Sequence, residues 1–300
     1  MKILLTGKNG QLGFELQRSL ALLGELVAID QEECDLADPS VVRALVREVV
    51  PSVIVNPAAY TAVDQAETEK EQAHAVNSKA PGILGEEARR LRALVVHYST
   101  DHVFDGTQEC PYQENDVTNP QNVYGRSKRD GEIALTGSTP DHLILRTSWV
   151  VGAHGNNFAK TILKLSQERE RLTVVADQVG APTSTALLAD VTSHLIRQWT
   201  FAKADFPYGI YHCTARGETN WHEYARWVVG KAVNAGVSVK ATPDQIQAIP
   251  AREYPAPAKR PVNSRLDCSL FRQTFGLELP DWQKSLELIL NQILKSNIDP

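Results

Sequence analysis

Tyr124 and Lys128 stand four residues apart in Tyr124-Gly-Arg-Ser-Lys128. On a helix that spacing puts both side chains on one face, one turn apart. A free phenol has a pKa of about 10 and exchanges protons poorly near neutrality. An ammonium one turn away favours the phenolate, so Lys128 is expected to lower the Tyr124 pKa. The chemistry implied is proton exchange with a substrate oxygen. The pair alone is a common pattern and also fits a solvated helix face. Two further features give it weight: a glycine loop near the N-terminus, and Ser99-Thr100-Asp101 at the end of an apolar run.

The glycine loop is placed by the elements around it. Lys2-Ile-Leu-Leu-Thr6 is a short apolar run suited to a buried parallel strand. It enters Gly7-Lys8-Asn9-Gly10-Gln11-Leu12-Gly13, after which Leu12, Leu16, Leu20 and Leu23 recur at helical spacing. Strand, glycine turn and helix form the opening unit of a dinucleotide-binding fold. Gly7, Gly10 and Gly13 allow positive φ and close backbone approach to a pyrophosphate. The helix N-terminus offers free N–H groups to the same anion. The next strand, Glu25 to Ile29, ends at Asp30, placed to bond the adenosine ribose hydroxyls. A carboxylate there repels a 2′-phosphate and favours NADH over NADPH, with Lys8 partly offsetting the repulsion. Asp35-Leu36 could hold the adenine; a turn is the equally good alternative.

Strands and helices alternate through the first half. A helix stripe follows the Asp38-Pro39 cap, and strands are predicted at 52–56, 93–98 and 142–146. Helices are predicted at 78–92 and 122–136. The pattern specifies an α/β fold, a Rossmann-type doubly wound parallel sheet covered on both faces. From about residue 150 prolines, aromatics and polar turns become dense. Helices are predicted at 157–167, 187–198, 221–235 and 282–294, and the strand at 171–175 is expected to return to the main sheet. The reading is a dinucleotide-binding domain over 1–150 and a smaller, partly interleaved α/β lobe, mainly substrate-binding, over 151–300. A ligand belongs between them, at the carboxyl ends of the strands.

Three segments should meet there: Asn56 to Thr61, Tyr98 to Asp101, and the helix carrying Tyr124 and Lys128. Hydride transfer from a nicotinamide to a ketone leaves an alkoxide that needs a proton. Tyr124 is the candidate acid, Lys128 tunes it and can hold the nicotinamide ribose, and the Thr100 hydroxyl fixes the carbonyl oxygen.

Composition excludes several other classes. The 300 residues are 42% hydrophobic, enough for one large core or a core and a lobe, and the net charge is −5 without a basic block. Nucleic-acid binding is disfavoured. No apolar stretch approaches the ~20 residues that span a bilayer. No signal peptide is visible. Cys34, Cys110, Cys213 and Cys268 are scattered, and the His residues show no ligand spacing. The expectation is a cytoplasmic protein with reduced thiols and no catalytic metal.

In combination, the Gly7–Gly13 loop, Ser99-Thr100-Asp101 and Tyr124-x-x-x-Lys128 resemble the extended short-chain dehydrogenase/reductase superfamily, whose members act on nucleotide-activated sugars. Within it the chain is most similar to the dTDP-4-dehydrorhamnose reductase family. The resemblance is carried by the glycine loop, Asn56-Pro-Ala-Ala-Tyr-Thr-Ala-Val-Asp64, His97-Tyr-Ser-Thr-Asp101, Asn122-Val-Tyr-Gly125, Arg146-Thr-Ser-Trp149, Asp177-Gln-Val-Gly-Ala-Pro-Thr183 and Arg260-Pro-Val-Asn-Ser-Arg-Leu266. It spans nearly the whole chain. It implies reduction of the C4 ketone of dTDP-4-dehydro-L-rhamnose to dTDP-L-rhamnose, with NADPH or NADH as donor, for surface polysaccharide. It implies cofactor contacts at Gly10, Gln11, Leu12, Asp30, Asp35, Leu36, Ala59, Tyr60, Thr61, Tyr98 and Lys128. Substrate contacts are implied at Asp101, Trp149, Asn157 and Arg260, the last as a guanidinium for the diphosphate. The family is also associated with magnesium and with dimers; no ligand cluster in the sequence shows either. One departure is His102, where the family reads Tyr.

The rivals are a sugar-nucleotide 4,6-dehydratase, whose family shows Asp-Glu after the Thr where this chain has Asp101-His102, a 4-epimerase or other 4-ketoreductase, and a non-catalytic NADP-binding regulatory subunit resembling the partner of methionine adenosyltransferase.

Overall fold

A computed structural model describes residues 1–295. In chain order the first half runs β1 (Lys2–Leu5), α1 (Gln11–Leu20), β2 (Glu25–Ala28), α2 (Pro39–Val49), β3 (Val53–Asn56), α3 (Lys70–His74), α4 (Ala80–Leu91), β4 (Leu94–Thr100), α5 (Val123–Ser138) and β5 (His142–Thr147). A π-helical turn, Ala75–Lys79, joins α3 to α4. The second half runs β6 (Val150–Val151), α6 (Phe158–Glu168), β7 (Leu172–Val175), β8 (Val179–Gly180), β9 (Thr183–Ser184), α7 (Thr185–Phe201), β10 (Gly209–His212), β11 (Thr219–Asn220), α8 (Trp221–Asn234), β12 (Ile246–Ile249), α9 (Ser269–Phe275) and α10 (Trp282–Lys295).

The central sheet has six parallel strands in the order β10-β5-β4-β3-β1-β2. Order reverses between β1 and β3, and that crevice is where such sheets bind ligands. Side-chain alternation splits the sheet into two apolar faces. Ile3, Leu5, Val53, Val55, Val96 and Leu145 pack with α1, α7 and α9. Leu4, Ile54, Val95 and Ile144 pack with α2, α4 and α5. The helix signals act as the sequence suggests: the Asp38 carboxylate accepts from Ser40 N and Val41 N at the start of α2, with Pro39 in the first turn.

The strand expected to return to the main sheet does not. Leu172–Val175 pairs in parallel with β12, inside the second lobe. The strand that returns is β10, which pairs with β5 through Gly209↔Leu143 to His212↔Arg146. Both are short and half-apolar, so local pattern cannot say which finds the sheet edge. Tertiary contact decides: Tyr211 joins the core formed with α7 and α9. The second lobe has its own core, in which α8 and α10 pack through Tyr224, Val228, Trp282 and Leu286.

Candidate active site

A cleft of about 1120 Å³ opens at the carboxyl ends of β1, β3, β4 and β5. Gly7 has φ +60, and a Cβ on Gly13 would lie 1.9 Å from the Gly7 carbonyl oxygen, so only glycine lets the helix start this close to the turn. Gly10 is the N-cap of α1 and supplies no side chain to its first N–H groups. Those amides are left for an anion, as a dinucleotide diphosphate requires. The Asp30 carboxylate accepts from Asn9 N at 2.7 Å and Gln31 N at 2.8 Å, and still faces the cleft with lone pairs to offer. Lys8 is different. Its ammonium is bound by Glu33, whose carboxyl it holds below the ordinary range, so it is not free to greet a 2′-phosphate.

The helix carrying Tyr124 and Lys128 is seated by its first turn. Asn122 Oδ1 accepts from Gly125 N at 2.7 Å, and Asn122 Nδ2 donates to the Lys259 carbonyl at 2.8 Å. A Cβ at Gly125 would come within 2.2 Å of the His102 carbonyl oxygen. Glycine next to Tyr124 therefore lets α5 dock against the end of β4, which brings the Tyr124 phenol to Thr100. Thr100 Oγ1 donates to Asp101 Oδ1 at 2.9 Å. Lys128 Nζ donates to the Tyr98 carbonyl at 2.7 Å and meets His97 Nε2 at 3.3 Å.

The electrostatics correct one expectation. Burial pushes the Tyr124 phenol up to about 12, Thr100 partly offsets this, and Asp101 adds to it. Lys128 does not lower it, because its ammonium turns to Tyr98 and His97 and is itself pushed down to about 8 by burial, with Glu132 opposing. Tyr124 thus holds its proton at neutral pH, the state an acid needs.

The side of the cleft away from the glycine loop is built from more distant pieces. Trp149 sits just after β5 with φ +46, a left-handed conformation strained for a non-glycine residue. Its ring lies on Trp221, centroids 3.6 Å apart and nearly parallel, and fills the space a Cβ on Gly180 would need. Arg260 reaches the cleft from the C-terminal segment and donates to Asp64 Oδ2 at 2.7 Å. Ser99 Oγ, Asp101 Oδ2 and Thr147 Oγ1 are buried cleft-lining atoms without a hydrogen-bond partner. Orphaned oxygens of this kind suit the hydroxyls of a sugar.

All the sequence-predicted residues line this cleft except Asn157. Asn157 caps α6, and its amide donates to Gln11 Oε1 at 3.0 Å and the Gly152 carbonyl at 2.8 Å. It straps the second lobe to the glycine loop rather than facing a substrate. Sequence reasoning named Ser99 only within its motif, without a role, and missed Trp221, Thr147 and Asn77. Asn77 lies in the π-helical turn, accepts from Tyr60 N at 2.8 Å and donates to Tyr60 O and Ser127 Oγ, tying the 57–61 loop to α5. Its only local signal is an Asn inside a helix, where it is unfavourable. Among the described residues no three His, Cys, Asp or Glu side chains converge on a metal position. Among the same residues no helix is long and apolar enough to cross a membrane.

A doubly wound parallel sheet, a glycine loop at its first turn and a Thr-Tyr-Lys group at the strand ends define a nucleotide-dependent dehydrogenase or reductase of the short-chain type. The family model described as the RmlD substrate binding domain matches residues 1–295, and the chain belongs to that family. It is 48% identical over 297 residues to the dTDP-4-dehydrorhamnose reductase of Salmonella typhimurium, covering 98% of each chain. Among solved structures it resembles a dTDP-4-dehydrorhamnose reductase from Clostridium acetobutylicum, with TM-score 0.89, 36% identity and coverage of 97% and 99% of the two chains. It resembles equally a dTDP-4-dehydrorhamnose reductase from Bacillus anthracis in complex with NADP, with TM-score 0.88, 34% identity and the same coverage.

Proposed function

We propose that this chain reduces the C4 ketone of dTDP-4-dehydro-L-rhamnose to dTDP-L-rhamnose, with NADPH or NADH as donor, in the biosynthesis of dTDP-rhamnose. The observation that carries the reading is the meeting of Thr100, Tyr124 and Lys128 at the floor of a cleft whose other wall is the glycine loop, in a chain 48% identical to a reductase of that name.

The residues divide the work as follows. Free amides of α1 and the glycine loop hold the diphosphate of the dinucleotide, Asp30 its adenosine ribose, and Lys128 its nicotinamide ribose. When bound, the reduced nicotinamide supplies a hydride to the ketone carbon. Tyr124 holds the ketone oxygen through its hydroxyl, joined by Thr100 when its hydroxyl turns from Asp101 to the substrate. As that oxygen gains charge, the Tyr124 O–H bond breaks and its proton passes to it, giving the C4 hydroxyl and a phenolate. The open cleft then returns a proton to the phenolate from water. Asp101 and the orphaned oxygens beside it orient the sugar. Arg260, beside its Asp64 partner, meets the nucleotide diphosphate, and Trp149 with Trp221 walls the far end.

In this reading residues 1–150 mainly serve the cofactor and 151–300 mainly the substrate. We assign the protein to the cytoplasm, where its cysteines, all free among the described residues, stay reduced. The net charge of −5 favours no nucleic-acid partner. The dimer typical of the family is carried over as a proposal for sedimentation to test. A coupled assay tests the activity: the 4-keto-6-deoxy sugar nucleotide with the preceding epimerase should consume reduced nicotinamide only when this chain is present. No absorbance loss with folded, cofactor-binding protein would overturn the reading.

A further inference from the structure

One face of the central sheet changes character in a single step. Leu4, Ile54 and Val95 lie side by side on β1, β3 and β4. Two residues further toward the carboxyl end, at the next position on the same face, come Thr6, Asn56 and His97, level with one another by the pairing Asn56↔His97 and the bond from Thr6 N to the Val55 carbonyl. All three are buried, as is Lys128 beside them. Buried polar side chains are costly unless they satisfy one another, and these do. Thr6 Oγ1 donates to Asn56 Oδ1 at 2.6 Å, Asn56 Nδ2 lies 3.1 Å from His97 Nδ1, and His97 Nε2 lies 3.3 Å from Lys128 Nζ. The row starts at the residue before the glycine loop and ends on the catalytic helix.

We infer that this row is a positioning device for Lys128, in which His97, braced by Asn56 and Thr6, presents a ring nitrogen that fixes where the ammonium sits and helps it keep its proton. The inference rests on the reductase reading only for the importance of Lys128. An ammonium has three N–H donors. One goes to the Tyr98 carbonyl and one to His97, and the third has no partner among the described residues, on a side chain that lines the cleft. The two inner contacts therefore aim the third outward.

His97 is fitted to this task from the other side too. Its Nδ1 lies 3.2 Å from the Asn56 carbonyl, an acceptor, and 3.1 Å from Asn56 Nδ2, a donor. With Lys128 charged, Nε2 accepts and Nδ1–H donates to the carbonyl. With Lys128 neutral, Nε2–H donates and Nδ1 accepts from the amide. Either tautomer keeps the contact to Lys128 and one of the two contacts to Asn56. Burial and the neighbouring ammonium hold the ring neutral. The groups facing the pair are few. Glu132, one turn on in α5, favours the ammonium, although its carboxylate is also paired with the buried Arg146 guanidinium of β5 at 2.7 Å. Asn77 of the π-helical turn and the Tyr124 phenol are uncharged at neutral pH. From α4 and β5 the same face receives the apolar Ile83, Leu84 and Ile144.

The test reads Lys128 directly in the cofactor-free protein. Lysine labelled with ¹³C at Cε is titrated by NMR, and the Lys128 signal is assigned by its loss in Lys128→Met. His97→Gln keeps an acceptor where Nε2 stood. His97→Asn keeps a group where Nδ1 stood but withdraws from Lys128. His97→Leu removes both. A hydrogen bond to the charged form favours it, so the Lys128 midpoint should fall by about one pH unit in His97→Asn and His97→Leu and be restored by His97→Gln. The basic limb of turnover should move with it. Should His97→Leu fail to fold, the Asn and Gln pair decides. An unmoved midpoint in His97→Asn, or an equal fall in His97→Gln, would overturn the inference. Wild-type protein without turnover would overturn the reductase reading and leave the titration result standing.

Discussion

The two walls of the cleft are made in opposite ways. The cofactor wall is local and mostly closed: Gly7 to Gly13 and Asp30 lie within one strand-turn-helix-strand unit, and Asp30 and Lys8 already have partners. The substrate wall is assembled from segments far apart in the chain, Ser99 to Asp101, Thr147 to Trp149, Trp221 and Arg260, and it carries the orphaned oxygens and the strained Trp149. A dinucleotide diphosphate can be met by backbone amides that any sequence supplies once the turn is right. A sugar needs side-chain groups at set positions, and until it binds some of them stay unsatisfied.

Changing residues of one wall, or of the seam between them, should move one property and spare the other. The largest effect belongs to the seam. Tyr124→Phe should cut turnover by at least ~100-fold, the usual scale for a lost acid or base. Cofactor dissociation, followed by fluorescence, should change little, and near-normal turnover would remove Tyr124 from the mechanism.

On the substrate wall, Arg260→Ala should raise the KM for the sugar nucleotide by roughly 10- to 100-fold, since a charge-assisted contact is worth about 1.5–3 kcal/mol. Arg260→Lys should recover only part of that, because an ammonium cannot bond two phosphate oxygens in one plane. A cofactor dissociation constant that moved as much would show that the walls are not independent; an unchanged KM would move the diphosphate to Arg265.

Lys128 sets a pH dependence with opposite signs for activity and stability. Its folded pKa, about 8, lies below the ordinary 10.5. Cofactor affinity and turnover should therefore fall as pH rises through about 8 and the ammonium is lost. Between about 8 and 10.5 the unfolded chain binds more protons than the folded one, so this group's contribution to stability rises with pH. Denaturant midpoints of wild type and Lys128→Met across that window check the sign: the wild-type midpoint should rise relative to the variant's as pH rises.

The smallest effect is expected at Asp30. Asp30→Ala removes a carboxylate from the ribose and should shift preference toward NADPH several-fold, a screened repulsion of ~1 kcal/mol. With Lys8 held by Glu33, the shift should grow when Glu33→Gln is added. An unmoved NADH/NADPH ratio would place the ribose elsewhere.

The same contrast governs what could be read from the residues alone. The glycine loop, Asp30 and the α2 cap are short-range features, and spacing locates them. Thr100 is marked by its place at the end of an apolar strand, and Tyr124 and Lys128 by their one-turn spacing on α5. The Tyr124 pKa was misjudged because burial, which outweighs a neighbour on the helix, has no local signature. Asn157 looked like a ligand and proved to be a cap, a role that Asn fills as readily. Trp221 gave no sign, because its place depends on how α8 packs against a loop after β5. β10 was missed because four residues of mixed character carry no address.

That last strand has a consequence for how the chain is made. While the ribosome has delivered β5 but not yet Gly209–His212, the outer edge of β5 has no hydrogen-bonding neighbour in the finished sheet's register. At about 5–20 residues per second that interval lasts several seconds. An apolar row with open N–H and C=O groups is a template for pairing with another nascent chain. Synthesis through Thr147 to Gly209 is thus the aggregation-sensitive window, and any fragment ending near residue 150 would leave that edge permanently uncovered.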